Sequence, residues 1–241
     1  MAERHPFDLW AYLSTTPLLW LAVTLAVWVA ADRLAVASRR HPLVNPVLIA
    51  ILAIAAVLMA TGTPYATYFE GAQFVHFLLG PATVALAVPL YRARRTVRRA
   101  LVPVLLALSA GSVTAILTAV GAGLALGLPR DTIIALAPKS ATAPVAMGVS
   151  QALGGDPALT AVLVIITGIL GAVIVTPLMN ALRIRDYAAR GFAVGLAAHG
   201  IGTARAFSVD TLAGTFAGIA MAMNAVATAI LAPIILALFG V

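Results

Sequence analysis

Eight apolar runs follow one another along the chain, at about residues 13–32, 43–60, 73–91, 100–127, 131–152, 157–182, 191–207 and 212–239. A membrane-spanning helix needs about 20 predominantly apolar residues, so most of these runs are long enough to cross a bilayer. The gaps between them are short and polar, as at 33–42, 92–99 and 183–190. None can hold a water-soluble domain. The pattern predicts an all-α, polytopic integral membrane protein, a single domain over 1–241 with about eight membrane segments.

Those three gaps are rich in arginine, and cytoplasmic loops carry an excess of Lys and Arg. Eight full crossings would put 183–190 on the side opposite 92–99. The conflict disappears if 131–152 dips into the membrane and returns on its own side. There Pro138 and Pro144 bracket Lys139, Ser140 and Thr142, and proline removes a backbone donor and breaks a helix. Non-helical backbone at membrane depth persists only where protein or a watery cavity buries it. The expectation is therefore a re-entrant or broken segment; the alternative is one kinked spanning helix. Run 73–91 is interrupted at Gly80-Pro81, and run 191–207 at Gly200 and Gly202. Superposing Gly80 on Gly200 brings Thr83 onto Thr203. This points to an inverted repeat of 13–127 and 131–239, the pattern of transporters whose site lies at the midplane between broken helices.

Composition narrows the partners. The chain is 62% apolar and 10% charged, against about 45–50% and about 25% in an ordinary soluble domain. Fifteen Lys and Arg against eight Asp and Glu leave a net charge of +7. In a soluble protein that surplus would suggest nucleic acid, but here the cations sit in the gaps, so the expected partner is the lipid bilayer and no nucleic acid. Cysteine is absent, which removes disulfides and thiolate chemistry. No Gly-x-Ser-x-Gly, His-Glu-x-x-His or Walker motif occurs, and no acidic pair lies inside a run, so neither an enzyme nor a metal or cofactor site is expected. A cleavable signal peptide ending near Ala35-Val36-Ala37 is disfavoured by Glu3 and Asp8 in the leading region. Trp10, Tyr12, Trp20, Trp28, Tyr65, Tyr68, Tyr91 and Tyr187 lie toward run ends and are expected to anchor at the headgroups. Gly191 with Gly195, and Gly214 with Gly218, permit close helix packing and a homodimer.

An ionisable side chain inside a membrane segment is costly and marks function. Lys139 is the leading candidate. With the backbone unwound around it, its ammonium and freed N–H groups would receive a carboxylate; the alternative is a lysine snorkelling from a shallow dip. His199, Gly200, Gly202, Thr203 and Arg205 form a second constellation. Arg205 and Thr203 would hold an anion, the glycines would admit it to the backbone, and His199 would exchange a proton. The alternatives are a segment-flanking Arg205 and a packed, hydrogen-bonded His199. Thr83 would add a hydroxyl from the other repeat, or bond its own i−4 carbonyl. Asn224 either cross-links helices or lines a path, and His76 and Glu70 are read as interfacial.

The runs Ala137-Pro-Lys-Ser-Ala-Thr-Ala-Pro-Val-Ala-Met147, Gly148-Val-Ser-Gln-Ala-Leu-Gly-Gly155, Leu163-Val-Ile-Ile-Thr-Gly-Ile-Leu-Gly171 and Ala198-His-Gly-Ile-Gly-Thr-Ala-Arg205 closely resemble the LrgB family. The block from Gly80 to Tyr91 fits as well. The family includes LrgB/CidB-type proteins, YohK-type inner-membrane proteins and the C-terminal half of the plant plastidial glycolate/glycerate transporter. The resemblance implies carboxylate transport (glycolate, glycerate or pyruvate) or, alternatively, a holin-like or antiholin-like modulator of murein hydrolase export and autolysis. It also implies a cytoplasmic (inner) membrane location and a small LrgA/CidA-type membrane partner. Gly148 and Gln151 depart from the family, whose members carry acidic residues in that stretch.

Overall fold

The computed structural model describes residues 16–41, 44–78, 81, 91 and 94–241, and among them every regular element is helical. Thr83, Gly80, Trp10 and Tyr12 lie outside the described residues. The chain divides into two compact units, Met1–Ala87 and Val88–Val241.

The first unit holds α1 (Pro17–Ala37), α2 (Pro46–Thr61) and α3 (Tyr65–Phe77). Proline opens α1 and α2, where its missing N–H and fixed φ cost nothing. Asn45 caps α2, its Oδ1 accepting from the amides of Val47 and Leu48 at 2.9 and 3.2 Å. Helix α3 packs on α1 through Gly71, where a Cβ would lie 2.7 Å from the Leu21 nitrogen. That close approach buries Trp20 completely, edge-on to Tyr68 at 5.9 Å. Trp20 is thus a core residue, not a headgroup anchor: the missing side chain at Gly71 makes room for α1 where the sequence alone shows only an aromatic near a run end.

The second unit holds α4 (Arg94–Arg99), α5 (Leu101–Ala125), α6 (Arg130–Leu136), α7 (Ala143–Ala152), α8 (Pro157–Ala181), α9 (Tyr187–Val209) and α10 (Thr211–Leu238). Among the described residues, α1, α5, α8 and α10 are long and apolar enough to cross a membrane. Asp156, Asp186 and Asp210 cap α8, α9 and α10, each accepting backbone N–H bonds at 2.8–3.3 Å. The acids of these gaps set where the helices begin.

The segment 130–155 doubles back. At Gly155 a Cβ would lie 2.8 Å from Ile134 Cγ2 and 3.1 Å from the Ala135 nitrogen, so the end of α7 returns beside α6. Val149 and Leu153 pack with Ile133 and Ile134 against Ile235 and Leu236 at the end of α10. This is the re-entrant form that the arginine distribution predicted.

Helix α9 doubles back too. Its backbone breaks at Ala198 (φ −125°, ψ 16°) and His199 (φ 41°, ψ −131°). Gly202 then sits against Val194, where a Cβ would be 2.7 Å from the Val194 oxygen. Tyr187 and Val209 line one small cavity, although a straight helix would hold them about 33 Å apart. Run 191–207 is therefore a second helical hairpin. Its first arm lies along α10, with Gly191 and Gly195 against the backbone of Ala213 and Ala217.

The two hairpins enter from opposite faces. Ala100 and Pro103 share a groove with Asp186, Ala188 and Ala189, which puts Arg94–Arg99 and the gap 183–190 on one face, the arginine face. The first hairpin opens on the other, beside the end of α10. In this unit three spans alternate with two dips. The superposition proposed from sequence pairs 13–32 with 133–152, but α1 is continuous and its counterpart is a hairpin.

Candidate functional site

Breaking a helix orphans carbonyls, and a buried orphan must find a partner. In a continuous helix the Ser140 carbonyl would accept from residue 144, but Pro144 has no N–H. The Leu196 carbonyl would accept from Gly200, but the backbone turns away at Ala198 and His199. Asn224 takes both: its Nδ2 donates to the Ser140 and Leu196 oxygens, each at 3.1 Å. Its Oδ1 accepts from Ser112 Oγ at 2.7 Å and Thr228 Oγ1 at 3.4 Å. Asn224 is 1% exposed, and it stands 13 residues into the 28-residue α10, about 20 Å from the start of that helix. The hairpin tips therefore meet halfway through the span.

His199 fixes the second tip to α8. Its Nε2–H donates to the Val164 carbonyl at 2.9 Å, a bond that sets the ring's tautomer because a carbonyl only accepts. The ring fills the space left by Gly168, where a Cβ would lie 2.6 Å from Cε1. A non-glycine residue at positive φ costs of order 1–3 kcal/mol and persists when its surroundings hold it. The Val164 bond, together with Thr203 Oγ1 donating to the His199 carbonyl at 2.8 Å, holds it here. Gly202, predicted to admit a ligand, lets the hairpin arms touch. Gly200 is exposed, with only the Met221 sulfur near the place a Cβ would take.

Lys139 follows the first proline and is half-buried. It opens onto a cavity of about 710 Å³ walled by α5, α8 and α9, with Ser140, Thr114 and Thr167 as the other polar lining. Among the described residues the ion pair formed is Arg40–Asp32 at 3.2 Å, and no carboxylate pairs with Lys139. Thr142 begins α7 without a side-chain capping bond and stays outside that lining. A second cavity of about 540 Å³ runs from Ala100 and Asp186, at the arginine face, inward to Gly111 and Leu196. Gly111 and Leu196 also line the Lys139 cavity. Leu196 lies over Gly111, its Cδ1 2.8 Å from where a Cβ would be, and forms the partition.

Arg205 is elsewhere. It returns with the second arm to the arginine face, lining a cavity of about 30 Å³ with Tyr187 and Arg190, and its Nη2 lies 3.4 Å from Thr176 Oγ1. The structure thus brings together Lys139, Ser140, Asn224 and the tip of α9, and sets Arg205 at the hairpin base. Sequence reasoning missed Thr114, Thr167, Ser112 and Leu196, whose roles depend on neighbours far along the chain.

Three spans, two hairpins meeting at mid-depth and a lysine-lined cavity define a polytopic membrane protein of the broken-helix kind. The chain belongs to the LrgB-like family, whose model matches residues 24–238. It is 35% identical over 218 residues to the Bacillus subtilis protein YwbG, described as uncharacterized, covering 90% of this chain and 96% of that one. It is 34% identical over 199 residues to the holin-like protein CidB of Staphylococcus epidermidis (83% and 87% covered). It is 32% identical over 222 residues to that of Staphylococcus aureus (92% and 96%). No solved structure matches.

Proposed function

We propose that the chain is a secondary transporter of small monocarboxylates of the glycolate, glycerate or pyruvate kind, proton-coupled and working by alternating access in the cytoplasmic membrane. The observation that carries this reading is Lys139: an ammonium with no carboxylate partner among the described residues, facing a cavity at the junction of two broken helices. Such a group attracts an anion small enough to enter, and half-helices at the midplane are the usual setting for a transport site. His199, with Nδ1 remaining after its bond to Val164, is the candidate proton carrier. About eight membrane segments, no enzymatic activity and a homodimer complete the proposal. The test is uptake of labelled pyruvate, glycolate and glycerate into proteoliposomes, with and without a pH gradient. Saturable uptake that Lys139→Gln abolishes is expected; absence of uptake in wild type overturns the reading.

A second reading is a holin-like modulator of murein hydrolase export, acting with a small LrgA/CidA-type membrane partner. Its similarity to the staphylococcal relatives, which are described as holin-like, favours it. Such a protein would release entrapped dye without saturation, and Lys139→Gln would leave that leak unchanged.

A further inference from the structure

The cavity of about 540 Å³ at the arginine face is poorly suited to a small hydrophilic anion. Its walls are Pro103, Val104 and Ala107 of α5, Phe192 and Ala193 of α9, and Phe216 of α10, and Asp186 at the mouth is the one polar side chain among its lining residues. A carboxylate would meet that acid first and find no donor side chain further in. From Ala100 to Gly111 the groove follows α5 for about 16 Å. That is about half of a hydrocarbon core about 30 Å thick, the depth of one leaflet. Its inner end is Leu196, whose carbonyl Asn224 holds at mid-depth. Pro103, Ala107 and Ala189 remain exposed along it, so the groove can be entered from the surface.

The mouth is strongly basic. Arg99 immediately precedes Ala100 on one lip, and Arg185 immediately precedes Asp186 on the other. Arg98 and Arg183 stand close behind them in the chain, and all four are exposed. Among the described residues no carboxylate pairs with any of them, and Asp186 Oδ1 accepts from the Ala189 amide at 2.8 Å. Arg190 braces the second lip: its Nε donates to the Ile184 carbonyl and its Nη2 to Asn180 Oδ1, each at 2.6 Å. Arg183 and Arg185 therefore sit on a folded turn. Orientation in the membrane accounts for the sign of this face, but not for an apolar slot one leaflet deep that opens between two arginine-bearing segments.

We infer that this groove seats one acyl chain of an anionic phospholipid, whose phosphate is held between Arg98 and Arg99 on one lip and Arg183 and Arg185 on the other. Guanidinium forks match phosphate oxygens bidentately, and basic pockets between membrane helices bind anionic headgroups. Lipid tails are already out of water, so the chain gains nothing from the hydrophobic effect. It instead fills a void whose walls would otherwise lose their packing contacts. Selection among lipids therefore comes from headgroup charge, and retention of the chain from fit. The end of the chain lies against Leu196, so an occupied groove backs the partition to the Lys139 cavity. The seat is exchangeable: lipid and a water-soluble reagent entering from the arginine face compete for it.

The test is native mass spectrometry of the full chain, titrated in detergent with phosphatidylglycerol or phosphatidylcholine carrying the same acyl chains. One phosphatidylglycerol per chain is expected to be retained saturably, in preference to phosphatidylcholine. Arg99→Gln combined with Arg185→Gln should weaken phosphatidylglycerol by about twentyfold, at about fivefold for each arginine near a lipid surface, and leave phosphatidylcholine unchanged. Ala107→Trp, which fills the groove and keeps every arginine, should also release phosphatidylglycerol. Ala189→Leu, at the mouth on α9, reads the same where the tryptophan variant does not fold. Glycerol phosphate, the headgroup without chains, should not displace the lipid. Equal retention of the two lipids overturns the inference. So does a loss that follows the arginines while Ala107→Trp and Ala189→Leu bind as wild type, because surface attraction alone then explains the binding. Displacement by glycerol phosphate overturns it too, assigning the arginines to a free phosphate.

Discussion

Replacing Asn224 with leucine removes a side chain that holds both hairpin tips. The branching of the side chain is kept, so the main perturbation is the loss of its hydrogen bonds. The Ser140 and Leu196 carbonyls lose the amide that lies 3.1 Å from each, and Ser112 loses its acceptor at 2.7 Å. An orphaned buried polar group costs about 1–3 kcal/mol, so the two carbonyls alone account for about 2–6 kcal/mol. Hydrogen bonds between membrane helices average nearer 0.6 kcal/mol, because their groups find other partners. Here those partners are scarce: Pro144 has no N–H and the backbone at His199 is turned out of the helix. Ser112 is different, since it can turn to its own i−4 carbonyl. A loss of about 4 kcal/mol corresponds to a fall in apparent Tm of about 8–16 °C for a chain of this size. Thermal unfolding in detergent measures it, and hydrogen exchange at 138–142 and 196–200 should accelerate in both segments together. Asn224→Asp, which keeps the acceptor but loses both donations, should be no better than leucine. Ser112→Ala should cost no more than about 1 kcal/mol. An unchanged Tm with Asn224→Leu, or faster exchange at only one tip, refutes the idea of a shared latch.

The absence of native cysteine makes the chain ready for single-cysteine labelling. Arg98→Cys and Arg185→Cys should react from one side of the membrane, and Gly154→Cys and Gly240→Cys from the other. Reaction of Arg98→Cys and Arg185→Cys from opposite sides would refute the re-entrant segment. Leu196→Ala should join the cavity at the arginine face to the Lys139 cavity, raising severalfold the rate at which an impermeant thiol reagent applied from that face modifies Thr167→Cys. An unchanged rate argues against Leu196 as the partition. Gly168→Ala should displace the His199 ring and destabilise the chain by about 1–3 kcal/mol through loss of the buried bond to Val164. Because both substitutions remove that bond, adding His199→Ala should cost little more, and full additivity in the double-mutant cycle would refute the pinning.

Much of the membrane topology was legible in the sequence. Run lengths and arginine clusters predicted α5, α8 and α10 and the dip at 131–152, and Pro138 and Pro144 marked the first break. Run 191–207 was less transparent. Its glycines point to a break, but the positive φ falls on His199. Gly202 serves arm-to-arm packing, and Arg205 ends at the hairpin base because the chain turns back before it.

Crossing a bilayer is a local property: a segment partitions by its own length and apolarity, and a proline breaks a helix wherever it stands. For that reason the sequence by itself determined the helical class, the spans of the second unit, the common side of its two arginine clusters (94–99 and 183–190) and the first break with its lysine. It could also say that breaks would orphan carbonyls. What received them was a tertiary matter, since Asn224 lies 84 residues from Ser140, 28 from Leu196 and 112 from Ser112. The same holds for Thr114, Thr167 and Trp20. Whether a hydroxyl stays open to a cavity, or an aromatic is buried, depends on which distant backbone packs beside it, and no local pattern encodes that.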